Sequence, residues 1–128
     1  MSGLEGIRVV VCDDDRDFRE AISVLIELIP ELAVAGKGAS AEDAIRLIEA
    51  TQADACLLDL FMPGMPGVEA VREIRERYPD LVIVVMTGFD EDELLGAAQE
   101  AGADAAMRKH RLLTDVGERL RAIGAGMR

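Results

Sequence analysis

The sequence predicts an α/β fold: a doubly wound, five-stranded parallel sheet in a single domain, residues 1–128. Three observations predict it. Short apolar runs alternate with amphipathic stretches five times along 128 residues. One helical pattern separates each run from the next, which is the signature of βαβ units with helices on both sheet faces. The run Leu81 to Met86 is apolar without alternation, as a strand buried on both faces must be.

Each element has its own signal. Ile7 to Cys12 is the first strand. A helical face follows, with Phe18, Ala21, Ile22, Leu25 and Ile29, and Pro30 ends it. Leu32 to Gly36 is the second strand. Ser40, with Asp43 three residues on, forms a capping box for a helix through Ala44, Ile45 and Ile48. Ala55 to Leu58 is the third strand, with Asp59 at its C-terminal end. Beyond a Pro- and Gly-rich loop, Val68, Val71, Ile74 and Tyr78 mark a helix that Pro79 stops. Leu81 to Met86 is the fourth strand. Asp90 to Ala101 is a helix with acids in its first turn, where the dipole favours them, and Gly102 reads as its C′ residue. Asp104 to Arg108 is a weak fifth strand. Leu113, Val116, Leu120 and Ile123 make the last helix.

Composition narrows the function classes. The formal net charge is -11, which argues against a duplex-binding surface on this domain. Aromatic residues are 3% and Trp is absent, so the core is built from Val, Ile, Leu, Ala and Met. Cys12 and Cys56 lack the spacing of a zinc site or disulfide framework and read as small buried hydrophobes. The first residues lack a secretory pattern, and no apolar run nears the roughly 18 residues of a membrane span. A reducing, cytoplasmic location without membrane contact is expected.

In doubly wound folds, ligands bind outside the carboxyl ends of the strands. Those ends carry Asp13, Asp14 and Asp15 after the first strand, Asp59 after the third, Thr87 after the fourth and Lys109 after the fifth. Converging carboxylates need a cation, and oxygen donors suit a hard ion such as Mg²⁺. A carboxylate can also attack phosphorus to give an aspartyl phosphate. A rival reading comes from "GKGASA", Gly36 to Ala41, which fits a relaxed dinucleotide pattern with Asp59 about 20 residues on. A small nucleotide-binding module leaves the acids, Thr87 and Lys109 unexplained, and the glycine turn follows the wrong strand. An Asp-nucleophile phosphatase would carry a second Asp where Phe61 stands.

With these residues in view, the chain resembles the receiver domain of two-component response regulators over nearly its whole length. "VCDDD", "LLDLFMPGMPG", "VIVVMTG" and "AGADAAMRKH" carry the resemblance, in order, on alternating units. The overall pattern looks most like receivers that precede a helix-turn-helix output domain. The resemblance implies a flavodoxin-like strand order 2-1-3-4-5. It implies Asp59 as phosphoacceptor, with Thr87 bonding the phosphoryl group and Lys109 pairing with it. The implied Mg²⁺ ligands are Asp13, Asp14, Asp59 and the backbone carbonyl of Phe61. Asp15 reads as a cap for the first helix, although three consecutive acids leave the register open by one residue.

The implied function is a phosphorylation-activated switch, phosphorylated by a sensor histidine kinase or a small phosphodonor. It is not an enzyme beyond catalysing its own phosphoryl transfer and dephosphorylation. Its output would be a partner-binding face made by helix four, strand five and helix five, read by an output domain, an effector protein or a second copy in a homodimer. A phosphorylation-independent pseudo-receiver is the alternative.

This chain departs from the family pattern in places. Ala106 stands where the family commonly has a switching aromatic, His110 where Pro often follows the Lys, and Gly88 where Ala often follows the Thr. Phe61 and Phe89, each two residues past a site residue, should obstruct an attacking water and slow autodephosphorylation. Met62 and Met65 read as loop packing, lone His110 as surface, and Arg108, Arg111, Arg119 and Arg121 as a solvated face.

Overall fold

The computed structural model describes residues 6–88, 92–115 and 118. Five strands, β1 (Ile7–Cys12), β2 (Leu32–Gly38), β3 (Ala55–Asp59), β4 (Val82–Thr87) and β5 (Ala105–Arg108), form one parallel sheet in the order β2-β1-β3-β4-β5. The helices are α1 (Arg16–Glu27), α2 (Ala41–Thr51), α3 (Gly67–Arg77) and α4 (Asp92–Ala101), and residues 109–115 are also helical. No helix among the described residues is long and apolar enough to cross a membrane.

The pleat sorts strand residues to two cores. Val10, Cys12, Cys56, Leu58, Ile83 and Val85 pack beneath α2, α3 and α4. Val9, Val11, Leu57, Val84 and Met86 pack with Ile22 and Ile26 of α1 and with Leu112. Helices therefore cover both faces, and every residue of β3 and β4 is buried.

Several expectations change. On α1 the buried stripe is Ile22 and Ile26, with Ser23, whereas Ala21 is exposed. The helix also ends at Glu27, before Pro30. β2 runs two residues past Gly36 because a bulge between Val9 and Val10 inserts Ala35 opposite β1. Ser40 Oγ accepts from the Asp43 amide at 3.0 Å, but Asp43 Oδ2 reaches back to the amide of Ala39, one residue outside the capping box. That bond, then the Arg46 guanidinium, holds the Asp43 carboxyl below its ordinary pKa. In the last helical segment Leu112 is fully buried and Leu113 is 38% exposed, so the apolar face starts one residue earlier than expected. Val116, Leu120 and Ile123 lie outside the described residues, as do Asp90 and Glu91 at the expected start of α4.

The N-terminal end of the sheet is tied by one side chain. Arg75 donates to the carbonyls of Gly102 (3.0 and 2.8 Å), Tyr78 (3.3 Å), Pro79 (2.9 Å) and Leu81 (2.7 Å). It also pairs with Asp104 Oδ2 at 2.7 Å, which itself accepts from the Ile83 amide. Gly102 has φ +127°, and a Cβ there would lie 2.8 Å from Arg75 Cγ, so glycine is needed for conformation and for clearance. Arg75 thus joins the end of α3 to the starts of β4 and β5. Arg75→Ala leaves several carbonyls short of donors and is expected to cost about 2–4 kcal/mol. Urea unfolding checks this, with a lower midpoint and an unchanged slope as the expected result.

Candidate functional site

Strand register builds the site. Cys12 pairs with Leu58, so Asp13 and Asp59 leave neighbouring strands side by side. Asp59 pairs with Met86, which Thr87 follows, and Thr87 pairs with Arg108, which Lys109 follows. Each chemical residue thus sits at or just past the carboxyl end of a paired strand.

The three consecutive acids have separate environments. Asp13 is fully buried, and its Oδ1 accepts from the Asp15 amide at 2.9 Å. Asp14 is exposed. Asp15 is the N-cap of α1, accepting from the amides of Asp17 (3.1 Å) and Phe18 (3.3 Å). This fixes the register: Asp13 and Asp14 face the site and Asp15 serves the helix. One carboxylate oxygen each from Asp13, Asp14 and Asp59 lies within 4.8 Å of the others.

Asp59 is 3% exposed, and its Oδ1 accepts from the Phe61 amide at 3.3 Å. Lys109 Nζ stands 2.6 Å from Asp13 Oδ2 and 3.6 Å from Asp59 Oδ2. Burial, and then the charge of Asp13, push the Asp59 carboxyl up to about 7, against the opposing pull of Lys109 and the Phe61 amide. Burial alone would lower the lysine's pKa. Contact with Asp13 and the charges of Asp59, Asp13 and Asp15 outweigh it, and Lys109 is held above its ordinary value. Asp13 Oδ2, although paired with the ammonium, is buried without a directed hydrogen bond. A buried carboxylate oxygen of this kind, within a cluster of carboxylates, fits a hard divalent cation. Thr87 is buried at the end of β4.

The remaining residues fall as follows. The Phe61 ring is 41% exposed while its amide is turned to Asp59. Phe89 lies outside the described residues. Ala106 lines a hollow of about 300 Å³ with Leu95, Gln99, Arg108 and Arg111. The described residues contain no cis peptide bond, so Lys109–His110 is trans, and His110 is exposed. Arg108 does not belong to a freely solvated face: it pairs with Asp92 at the start of α4 and is 33% exposed. At the "GKGASA" turn, Gly38 is buried, and a Cβ on it would meet Asp43 Cβ at 2.7 Å and Cys12 Sγ at 3.2 Å. The glycine there is required by the close approach of Asp43 and Cys12. Cys12 and Cys56 are both buried and free; a hydrogen bond with Cys12, then burial, push the Cys56 thiol up, as for a structural cysteine.

The sequence does not single out Arg19, and it gives Phe18 only as part of the first helix's apolar face. Arg19 Nη1 donates to the Asp13 carbonyl at 2.8 Å. The Phe18 ring lies 4.7 Å from Lys109 Nζ. Only the one-turn offset from Asp15 could have pointed to them.

Acids thus converge, with Lys109 among them, at the carboxyl edge of a 2-1-3-4-5 parallel sheet, where doubly wound folds bind their ligands. Residues 9–121 match the response regulator receiver domain family, and the chain belongs to that family, the receivers of two-component systems. It is 34% identical over 115 residues to the response regulator protein VraR of Staphylococcus epidermidis, covering 90% of this chain and 55% of that one. It is 33% identical over 103 residues to the transcriptional regulatory protein DegU of Brevibacillus brevis, covering 80% of this chain and 44% of that one. The chain spans about half the length of the curated relatives it matches. Among solved structures, the signal receiver domain of NarL from Mycobacterium tuberculosis superposes with TM-score 0.88 at 29% identity, covering 95% of this chain and 98% of that one. A LuxR-family two-component response regulator from Aurantimonas sp. SI85-9A1 gives 0.88 at 33% identity, covering 94% and 86%.

The Asp59 carboxyl has a clear linkage consequence in metal-free protein. Its folded pKa, about 7, exceeds the ordinary 3.8, so folding favours the protonated form. That contribution is full below the ordinary value and is lost as pH rises through the folded one. In chelator-containing buffer the wild type should lose stability between these two pH values relative to Asp59→Asn. Paired urea titrations measure this, and parallel pH curves would contradict it.

Proposed function

We propose that this receiver is a phosphorylation-activated switch that takes a phosphoryl group onto Asp59 in an Mg²⁺-dependent reaction. The donor is the phosphohistidine of a sensor histidine kinase, or a small phosphodonor. The observation that carries this reading is the buried Asp59 at the end of β3, with Lys109 Nζ at 3.6 Å and the Asp13 and Asp14 carboxylates beside it. A carboxylate oxygen of Asp59 forms the new P–O bond as the donor's bond to phosphorus breaks, P–N with release of the imidazole from phosphohistidine or P–O with release of the carboxylate from an acyl phosphate. Asp13, Asp14, Asp59 and the Phe61 carbonyl would hold the cation. When bound, Mg²⁺ offsets the carboxylates' repulsion and neutralises phosphoryl oxygens. Lys109 supplies a second positive charge, and the Thr87 hydroxyl takes a phosphoryl oxygen. Beyond this self-directed chemistry the chain is not an enzyme.

A phosphate on Asp59 draws Lys109 and Thr87 toward it and shifts an existing equilibrium of the face formed by α4, β5 and residues 109–115. Arg108 and Asp92 already link β5 to α4 across this face. With Ala106 in place of a ring, the signal is carried by backbone and ion-pair changes rather than by an aromatic rotamer. The reader of that face is a DNA-binding output domain, an effector protein or a second copy, and the setting is cytoplasmic. The net charge of -11 keeps nucleic acid contact off this domain.

Mass spectrometry after acetyl phosphate treatment tests the reading. The wild type should gain phosphate on Asp59 only with Mg²⁺, and Asp59→Asn should gain none. No incorporation in the wild type would favour a pseudo-receiver. Autodephosphorylation should be slow, because Phe61 and Phe89 offer no polar group to orient water. The Phe61→Asn, Phe89→Ala double variant is expected to lose its phosphate faster, as followed by decay of phospho-Asp59.

A further inference from the structure

Lys109 has two carboxylates to choose between, at 2.6 Å and 3.6 Å. An ammonium is a compact charge on a flexible four-carbon stem, so its position depends on what else it touches. On the β4 side stands Gly88, where even an added Cβ would reach Lys109 Cδ only at 3.9 Å, so that side gives little confinement. On the other side is the Phe18 ring, its centroid 4.7 Å from Nζ. The Lys109 side chain is 18% exposed, and Phe18 is half-buried against the core beneath α1. A cation over a ring face is attracted more strongly as water is removed.

The turn carrying Phe18 is itself fastened to the site. The Asp15 amide donates to Asp13 Oδ1, and Arg19 Nη1 donates to the Asp13 carbonyl. Two hydrogen bonds therefore tie Asp13, just before α1, to the N-cap and first turn that carry Phe18. We propose that Phe18 is a positioning residue, whose ring face holds the Lys109 ammonium between Asp13 and Asp59 in readiness for charge on Asp59. It acts through Lys109 and touches no reacting atom. The consequence for rate rests on the phosphotransfer reading above, whereas the placement of Lys109 does not.

The test compares wild type, Phe18→Leu and Phe18→Tyr. NMR of the Lys109 ε-methylene, without phosphodonor, should show an upfield ring-current displacement in wild type and Phe18→Tyr that Phe18→Leu loses. With acetyl phosphate and Mg²⁺, Phe18→Leu should phosphorylate about fivefold more slowly, the scale of a partly desolvated cation–π contact. Phe18→Tyr should retain the wild-type rate, and calorimetric Mg²⁺ affinity should be equal in all three. Phe18→Met replaces Phe18→Leu if the latter lowers Tm. An unshifted Lys109 in wild type overturns the proposal. So does a wild-type rate in Phe18→Leu, or an equal loss in the Leu and Tyr variants at unchanged Tm. Failure of every protein to take phosphate would refute the phosphotransfer reading, and the NMR arm would then decide the Phe18 proposal.

Discussion

Two buried carboxylates on adjacent strands must share one positive charge, and the rest of the molecule is arranged around that constraint. Asp13 and Asp59 follow directly from the pairing of β1 with β3, so their proximity is set by the sheet and not by flexible loops. Lys109 offsets part of their repulsion from the end of β5. Hydrogen bonds also hold the acids: the Asp15 and Phe61 amides donate to their oxygens, and Arg19 to the Asp13 backbone carbonyl. Crowded buried charge costs folding free energy. The site therefore carries an excess of negative charge that an added cation can offset, a familiar form of the trade between stability and function.

Much of this was legible in the sequence, for a physical reason. Buried parallel strands read as uninterrupted apolar runs, so the acid, threonine and lysine that end them stand out. The doubly wound class and the residues at the strands' carboxyl ends follow from that reading, whereas the strand order comes only from the family resemblance. What stayed hidden depends on distant packing. The bulge beside Val9 and Val10 has no local signature in "ELAVAGKG". Leu112 and Leu113 fit a helical stripe equally well until the helix start at Lys109 decides between them. Ala21 and Ile26 exchange roles on α1 because the strand surface beneath is filled by Ile22 and Ile26. Phe18, Arg19 and Arg108 acquire their roles from side chains on other elements, which no local spacing reveals.

The two ends of the sheet are built differently. At the N-terminal end, Arg75 joins α3, β4, α4 and β5 through backbone carbonyls and the Asp104 carboxylate, and Gly102 has no room for a side chain. At the C-terminal end, α4 meets β5 through the Arg108–Asp92 pair, whose Asp92 partner is 85% exposed. Exposed pairs of this kind are weak and yield readily. The polar ties of the α4–β5 layer among the described residues thus differ in kind at its two ends.

The outer strand β2 also shapes how this domain meets its own kind. A parallel sheet's edge is normally a template for another strand. Here Glu27 Oε2 already bonds the Val34 amide at 2.7 Å, Lys37 is drawn to Glu20, and the bulge twists the strand away from a flat register. An incoming strand would have to displace a carboxylate and match an irregular backbone. Pairing of sheets edge to edge along β2 is therefore disfavoured even where copies of this domain are crowded together.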